Sequence, residues 1–185
     1  MTVFAFSTEN WRRPEAEIEK IMDLFIYFFN KYRDEMEKEG IRIRFSGVKD
    51  GLSDQVKATI AEAESTSVHR KNLQLILAFN YGSRREIADS CKKIVAAVQN
   101  GELDPDDLDE DKFRDYLYLP DVPDPDLIIR PSGEQRLSNF LLWQAAYSEL
   151  YFAKVLWPDF TEKTLDQALE AYAKRDRRFG AIEEE

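Results

Sequence analysis

The chain reads as an α/β fold: a mostly parallel central sheet flanked by helices, a layered sandwich in one domain spanning residues 1–185. Three observations predict this. Short β-type runs alternate with runs of helical period along the sequence, the order that builds parallel sheets covered on both faces. Residues 73–79 are apolar at almost every position, as suits a strand buried on both sides. The 185 residues, 43% hydrophobic and 34% charged, can close one core and leave little room for two.

The elements follow in order. Residues 2–6, Thr-Val-Phe-Ala-Phe, are rich in β-branched and aromatic side chains and read as a short buried strand. A polar loop, 7–13, leads to Pro14, suited to a first helical turn, with Glu15 and Glu17 near the positive helix end. Ile18, Ile21, Met22, Phe25, Phe29, Tyr32 and Met36 then recur at helical spacing until Gly40, a natural stop. Residues 41–45 alternate Ile-Arg-Ile-Arg-Phe, a half-buried strand of edge type.

Ser53 is placed to cap a helix reaching about Ser67. Ser83 and Glu86 have capping-box spacing for a helix running to Gln99. Residues 102–111 are acidic and loop-like, and a short helix is expected over 112–118. Three prolines stiffen 120–126. Residues 127–130 and 150–153 read as strands, 138–146 as a short helix and 161–174 as a closing helix.

With 26 Lys and Arg against 36 Asp and Glu, the net charge is −10. That argues against a general nucleic-acid binder, whose affinity rests on neutralising phosphates. One cysteine, Cys91, and one histidine, His69, exclude an internal disulfide and a Cys/His zinc site. Cys91 reads as a structural helix residue and His69 as a surface one. The longest apolar run, 24–29, is far short of a bilayer span, and no signal peptide is visible. The expectation is a cytoplasmic protein, with a membrane touched at most by its surface. No G-x-G-x-x-G, Walker, G-x-S-x-G or H-E-x-x-H motif occurs.

In open parallel sheets ligands bind beyond the carboxyl ends of the strands. This selects loops 7–13, 80–85 and 130–138. In 130–138, Arg130 and Arg136 flank a Gly-containing turn, with Ser132 and Ser138 as further donors. Paired guanidinium groups suit a diphosphate, although both arginines could instead pair with Glu134 and other acids. In 7–13, Ser7, Glu9, Asn10 and Arg13 could orient a substrate or meet phosphate; the alternative is a polar loop with Trp11 packed on the sheet. Loop 80–85 is equally explained as a Gly-assisted turn into a capped helix. Glu149 is either a Mg²⁺ carboxylate or an exposed turn residue. The aromatic helix around 24–29 is either core or the wall of an apolar cavity.

The same stretches carry a family resemblance. Phe6-Ser-Thr-Glu-Asn-Trp-Arg-Arg-Pro14, Arg130-Pro-Ser-Gly-Glu-Gln-Arg-Leu-Ser-Asn-Phe-Leu-Leu-Trp-Gln144, Glu149-Leu-Tyr-Phe152, Trp157-Pro-Asp-Phe160 and Arg177-Arg-Phe-Gly180 resemble the cis-prenyltransferases, above all the bacterial undecaprenyl diphosphate synthases. The resemblance runs in order along essentially the whole chain. It implies that family's fold and a homodimer that condenses isopentenyl diphosphate onto farnesyl diphosphate with Mg²⁺.

By motif, Arg130, Arg136 and Ser138 would hold the isopentenyl diphosphate, and Glu149 would assist the metal. Ser7, Glu9, Asn10, Trp11 and Arg13 would shape the space between the substrates, with Asn10 taking part in proton removal. Arg178 and Gly180 would reach the neighbouring subunit's site. Leu24, Phe25 and Leu73 would line the product tunnel.

The family's Asp-Gly-Asn-Gly-Arg-Trp-Ala motif, and the histidine on its following helix, have no counterpart in these 185 residues. The expectation is an N-terminally truncated body that keeps the isopentenyl half of the site and does not turn over alone. The competing expectations are a non-catalytic partner subunit and an unrelated phosphate-binding α/β module.

Overall fold

The computed structural model describes residues 1–175 and divides into two compact units, Met1–Pro120 and Asp121–Glu185. In the first unit, β1 (Thr2–Ser7) and β2 (Ile41–Ser46) lie on either side of β3 (Leu73–Tyr81), and both pairings are parallel. The near-continuous apolar run takes the centre, while the alternating Ile-Arg-Ile-Arg-Phe strand takes an edge, as its pattern predicts. The register of β1 slips between Phe4 and Ser7, so the strand bends where the 7–13 loop begins.

Helices α1 (Glu15–Lys38) and α2 (Asp54–Ser67) pack together and against β2. Their apolar stripes meet the sheet in a core of Phe6, Leu52, Val56, Ile60 and Phe79, flanked by Ile18, Ile21, Met22 and Phe25. Burial of a side chain such as Phe6 or Val56 contributes on the order of 2 kcal/mol. Ser53 caps α2 by accepting from the Val56 amide at 3.3 Å. Gly40 ends α1 with a φ of +65°, a conformation that strains residues with a Cβ.

Helix α3 (Ser83–Gln99) begins one residue differently from its capping-box reading. Gly82 is the N-cap, without a side-chain cap bond, and the Glu86 carboxylate serves elsewhere. It accepts the Tyr81 hydroxyl at 2.5 Å and the Tyr118 amide at 3.0 Å. A buried phenol and a part-buried backbone donor both need an acceptor, and Glu86 supplies it. The short helix expected at 112–118 is α4 (Glu110–Arg114), started earlier by Asp109 accepting from Lys112 N–H at 2.7 Å. Cys91 lies on α3 and is exposed, as is His69.

In the second unit, β4 (Leu127–Arg130) and β5 (Glu149–Phe152) form a parallel pair, and α5 (Glu162–Ala173) follows. The short helix expected at 138–146 is absent. Ser138, Asn139 and Leu141 have φ values of +50°, +65° and +46°, which a right-handed helix excludes, and the segment folds as successive turns.

Candidate functional site

The candidate residues fall on both units. In the first, β1 runs directly into a single 3-10 turn, Thr8–Arg12, so that Ser7, Glu9, Asn10 and Trp11 share one small loop at the carboxyl end of the strand. The Ser7 amide donates to Asn10 Oδ1 at 2.8 Å, and the Thr8 hydroxyl donates to Glu9 at 3.2 Å. Trp11 stands edge-on to Phe6, with ring centres 5.4 Å apart, and its indole N–H donates to Asn80 Oδ1 at 2.8 Å. Arg13 pairs with Glu17 one helical turn on, at 2.6 Å. Both are about half exposed, so water and a ligand can compete for the guanidinium.

Of the three tunnel candidates, Phe25 packs on Phe79 (4.7 Å between ring centres) and on Phe45 (5.7 Å). Leu24 and Leu73 are 50% and 42% exposed. A cavity of about 250 Å³ opens beside this core, lined in part by Phe45, Val48, Leu52, Phe79 and Tyr118; none of the three candidates lines it.

The loop at the end of β3 is braced by a polar network. Arg85 Nε and the Tyr118 hydroxyl both donate to Asp89 Oδ2 at 2.8 Å, and Lys92 donates to Oδ1 at 3.1 Å. Burial pushes the Asp89 carboxyl up, but the donors Arg85, Tyr118 and Lys92 together outweigh it and hold the group below its ordinary range. The Tyr118 phenol is pushed up by burial first and then by its bond to Asp89.

In the second unit, the loop after β4 folds back on the chain beyond β5. The Ser132 amide donates to Val155 O at 2.6 Å and the Gly133 amide to Ala153 O at 2.8 Å, with both residues at positive φ. This curl brings together three residues spread over nine positions. Arg130 Nη1 donates to the Arg136 carbonyl at 2.5 Å and to Ser138 Oγ at 2.8 Å. Arg136, 61% exposed, pairs with Glu134. The turn thus carries two guanidinium groups and a hydroxyl, with the Arg130 guanidinium held by the Arg136 carbonyl and Ser138 and that of Arg136 held by Glu134.

Glu149 opens β5 and lies in register with Leu127, whereas Arg130 lies in register with Phe152. The carboxylate and the arginine thus mark opposite ends of a parallel ladder, on the order of 10 Å apart along the strands. Glu149 is paired with Arg175, whose other nitrogen donates to Leu150 O at 3.1 Å. Among the described residues no group of three or more His, Cys, Asp or Glu could hold a metal ion. Arg178 and Gly180 lie outside the described residues.

Sequence reasoning missed Asn80 and Arg175 as partners of candidate residues. The Asn-Tyr-Gly run that closes β3 was a signal for Asn80, since Asn is a residue that tolerates positive φ. Nothing in the sequence pairs Arg175 with Glu149.

Comparison with known proteins bears on this geometry. A family model described as "Putative undecaprenyl diphosphate synthase" matches residues 1–180. An isoprenyl transferase of Thermotoga maritima is 52% identical over 182 residues, 98% of this chain and 77% of its own length. A ditrans,polycis-undecaprenyl-diphosphate synthase of Micrococcus luteus, named as (2E,6E)-farnesyl-diphosphate specific, is 41% identical over 98% of this chain and 73% of its own.

Among solved structures, lavandulyl diphosphate synthase from Lavandula x intermedia, in complex with dimethylallyl diphosphate, superposes with a TM-score of 0.93. It is 38% identical and covers 97% of this chain and 78% of its own. A probable undecaprenyl diphosphate synthase from Campylobacter jejuni superposes with a TM-score of 0.86 at 36% identity, covering 97% and 82%. No helix among the described residues is long and apolar enough to cross a membrane. With its α/β fold, arginine-bearing loop and near-complete match to the family, the chain belongs to the undecaprenyl diphosphate synthase family of isoprenyl transferases.

Proposed function

We propose that the chain is a cis-prenyltransferase that joins isopentenyl diphosphate to an allylic diphosphate, farnesyl diphosphate, and repeats the step to a long polyprenyl product. The product proposed is undecaprenyl diphosphate, for the lipid carrier of cell-wall synthesis. The observation that carries this reading is the convergence of Arg130, Arg136 and Ser138 on one exposed turn. The kinship with the farnesyl-specific Micrococcus luteus synthase supports the choice of substrates.

In each cycle the isopentenyl double bond attacks the allylic carbon. The allylic C–O bond breaks with its electron pair leaving on diphosphate, and the isopentenyl unit then loses a proton. This chain's arginines would hold the isopentenyl diphosphate and keep its charge neutralised. Asn10, the candidate for proton removal, would first have to release the Ser7 amide. We propose Mg²⁺ as the accompanying cation, which Glu149 would hold together with oxygens of the substrate diphosphates. A homodimer acting in the cytoplasm, and meeting the membrane only at its surface, completes the reading.

Calorimetric titration of isopentenyl diphosphate into the chain, with and without Mg²⁺ and beside Arg136→Ala, tests this. Arg136→Ala is expected to weaken binding by about 2 kcal/mol, the scale of charge-assisted hydrogen bonds to phosphate. A folded chain that binds neither isopentenyl diphosphate nor inorganic diphosphate would overturn the reading. Binding without turnover on adding farnesyl diphosphate would assign the chain to a non-catalytic role.

A further inference from the structure

Asn80 lies near the end of β3, where three segments of the first unit meet. It is 2% exposed, and its φ of +50° lies in the left-handed region that Asn tolerates better than most residues. Its side chain makes three hydrogen bonds. Oδ1 accepts the Trp11 indole N–H at 2.8 Å, and Nδ2 donates to the carbonyls of Val48 and Asp50 at 2.9 Å each. Its own carbonyl accepts the Val48 amide at 3.1 Å.

These partners dictate the residue. An indole N–H only donates and backbone carbonyls only accept, so the side chain must present one acceptor and two donors on a short stem. Asn does so. Asp would set a carboxylate oxygen against two carbonyl oxygens, and Leu would leave all three partners unmatched.

The turn that Asn80 grips is built for close approach. Gly47 has a φ of +148°, and a Cβ there would stand 2.0 Å from the Phe79 carbonyl oxygen. Gly51 has a φ of +79°, and its missing Cβ would touch the Trp11 ring at 3.6 Å. Trp11 is therefore seated by Phe6, by the 47–51 turn and by Asn80, although its side chain remains partly open to solvent.

We infer that Asn80 is the positioning residue of the 7–13 loop, fixing Trp11, and with it the segment that carries Ser7, Asn10 and Arg13, against the 47–51 turn before any substrate arrives. What the loop then binds rests on the function proposed above; the positioning does not. Asn80 acts through Trp11 and the turn, not on reacting atoms.

The test follows the indole N–H resonances of the full chain by NMR, with the Trp11 peak identified by its loss in Trp11→Phe. In Asn80→Gly, which keeps the backbone conformation, the Trp11 indole proton is expected to exchange with water about tenfold faster, the scale of one lost hydrogen bond. Farnesyl diphosphate affinity is expected to fall several-fold in the same variant, and adding Trp11→Phe should cost little more, because both changes break one contact. Should Asn80→Gly fail to fold, Asn80→Asp replaces it. That variant keeps the indole acceptor but loses both amide donors, so intermediate indole protection with a loosened 47–51 turn is expected. Unchanged indole exchange in a folded Asn80→Gly, an unloosened 47–51 turn in Asn80→Asp, or fully multiplicative losses in the double variant, would overturn the inference. A wild-type chain that takes no allylic diphosphate would sink the proposed function, while the exchange comparison would still decide the positioning.

Discussion

The 7–13 loop and the 130–138 loop present polar side chains by opposite physical means. The first leans on the end of β3, where buried Asn80, 2% exposed, bonds Trp11 and the 47–51 turn, and buried Glu86, 1% exposed, holds Tyr81, the register partner of Ser7. The second is held by exposed charge, with Arg136 61% exposed and paired to an acid two residues away. Buried contacts fix a geometry because breaking them strands a polar group. Exposed ion pairs fix little, since solvent and salt compete, and they can be exchanged for a ligand at small cost. The first loop is thus preorganised, and the ion pair of the second is open to exchange.

The largest expected effect tests the buried side. Glu86→Ala should destabilise the protein by about 3 kcal/mol, because the Tyr81 hydroxyl and Tyr118 amide lose their acceptor inside the fold. Arg136→Ala should change stability by no more than about 0.5 kcal/mol, as exposed pairs do. Urea unfolding midpoints at constant slope would measure both. Equal losses from the two substitutions would mean that the exposed ion pair is held as firmly as the buried carboxylate.

A smaller effect is set by pH. Asp89 titrates below its ordinary range when folded, because Arg85, Tyr118 and Lys92 outweigh the burial that pushes it up. A lowered folded pKa means stability that is fully present above the unfolded value of about 3.9 and lost as pH falls through the folded one. Asp89→Asn should therefore cost about 1 kcal/mol near pH 7, and the gap from wild type should close in the acid range. Melting curves across that range would show it, and a gap independent of pH would mean that the bonds' geometry, not the charge, matters.

Much of this was legible in the sequence. The strand and helix order, the central place of the 73–79 run and the grouping of Arg130, Arg136 and Ser138 follow from local pattern, and a motif spaced along one loop stays together when folded. What the sequence hid is long-range. Asn80 meets Trp11 across 69 positions and Val48 across 32, and Glu86 trades a local cap for partners that include Tyr118, 32 residues away. The 138–146 segment failed as a helix because three left-handed residues leave no signature in apolar spacing. Strand register sets Glu149 at the opposite end of the ladder from Arg130, a separation that its motif does not show.

The smallest effect decides the comparison most sharply. Glu134 holds Arg136, and under the function proposed above it is an anion beside a bound diphosphate. If exposed charge on this loop is merely exchangeable, Glu134→Gln should leave stability unchanged and tighten inorganic diphosphate binding by about twofold to fivefold, the range of a surface ion pair. The gain should shrink as salt rises from about 0.05 to about 0.5 M, because screening acts on exposed charges first. Weaker binding in Glu134→Gln would mean that the carboxylate aims the guanidinium. The second loop would then be preorganised as the first is, by charge at its surface where the first uses amide and carboxylate groups in its interior.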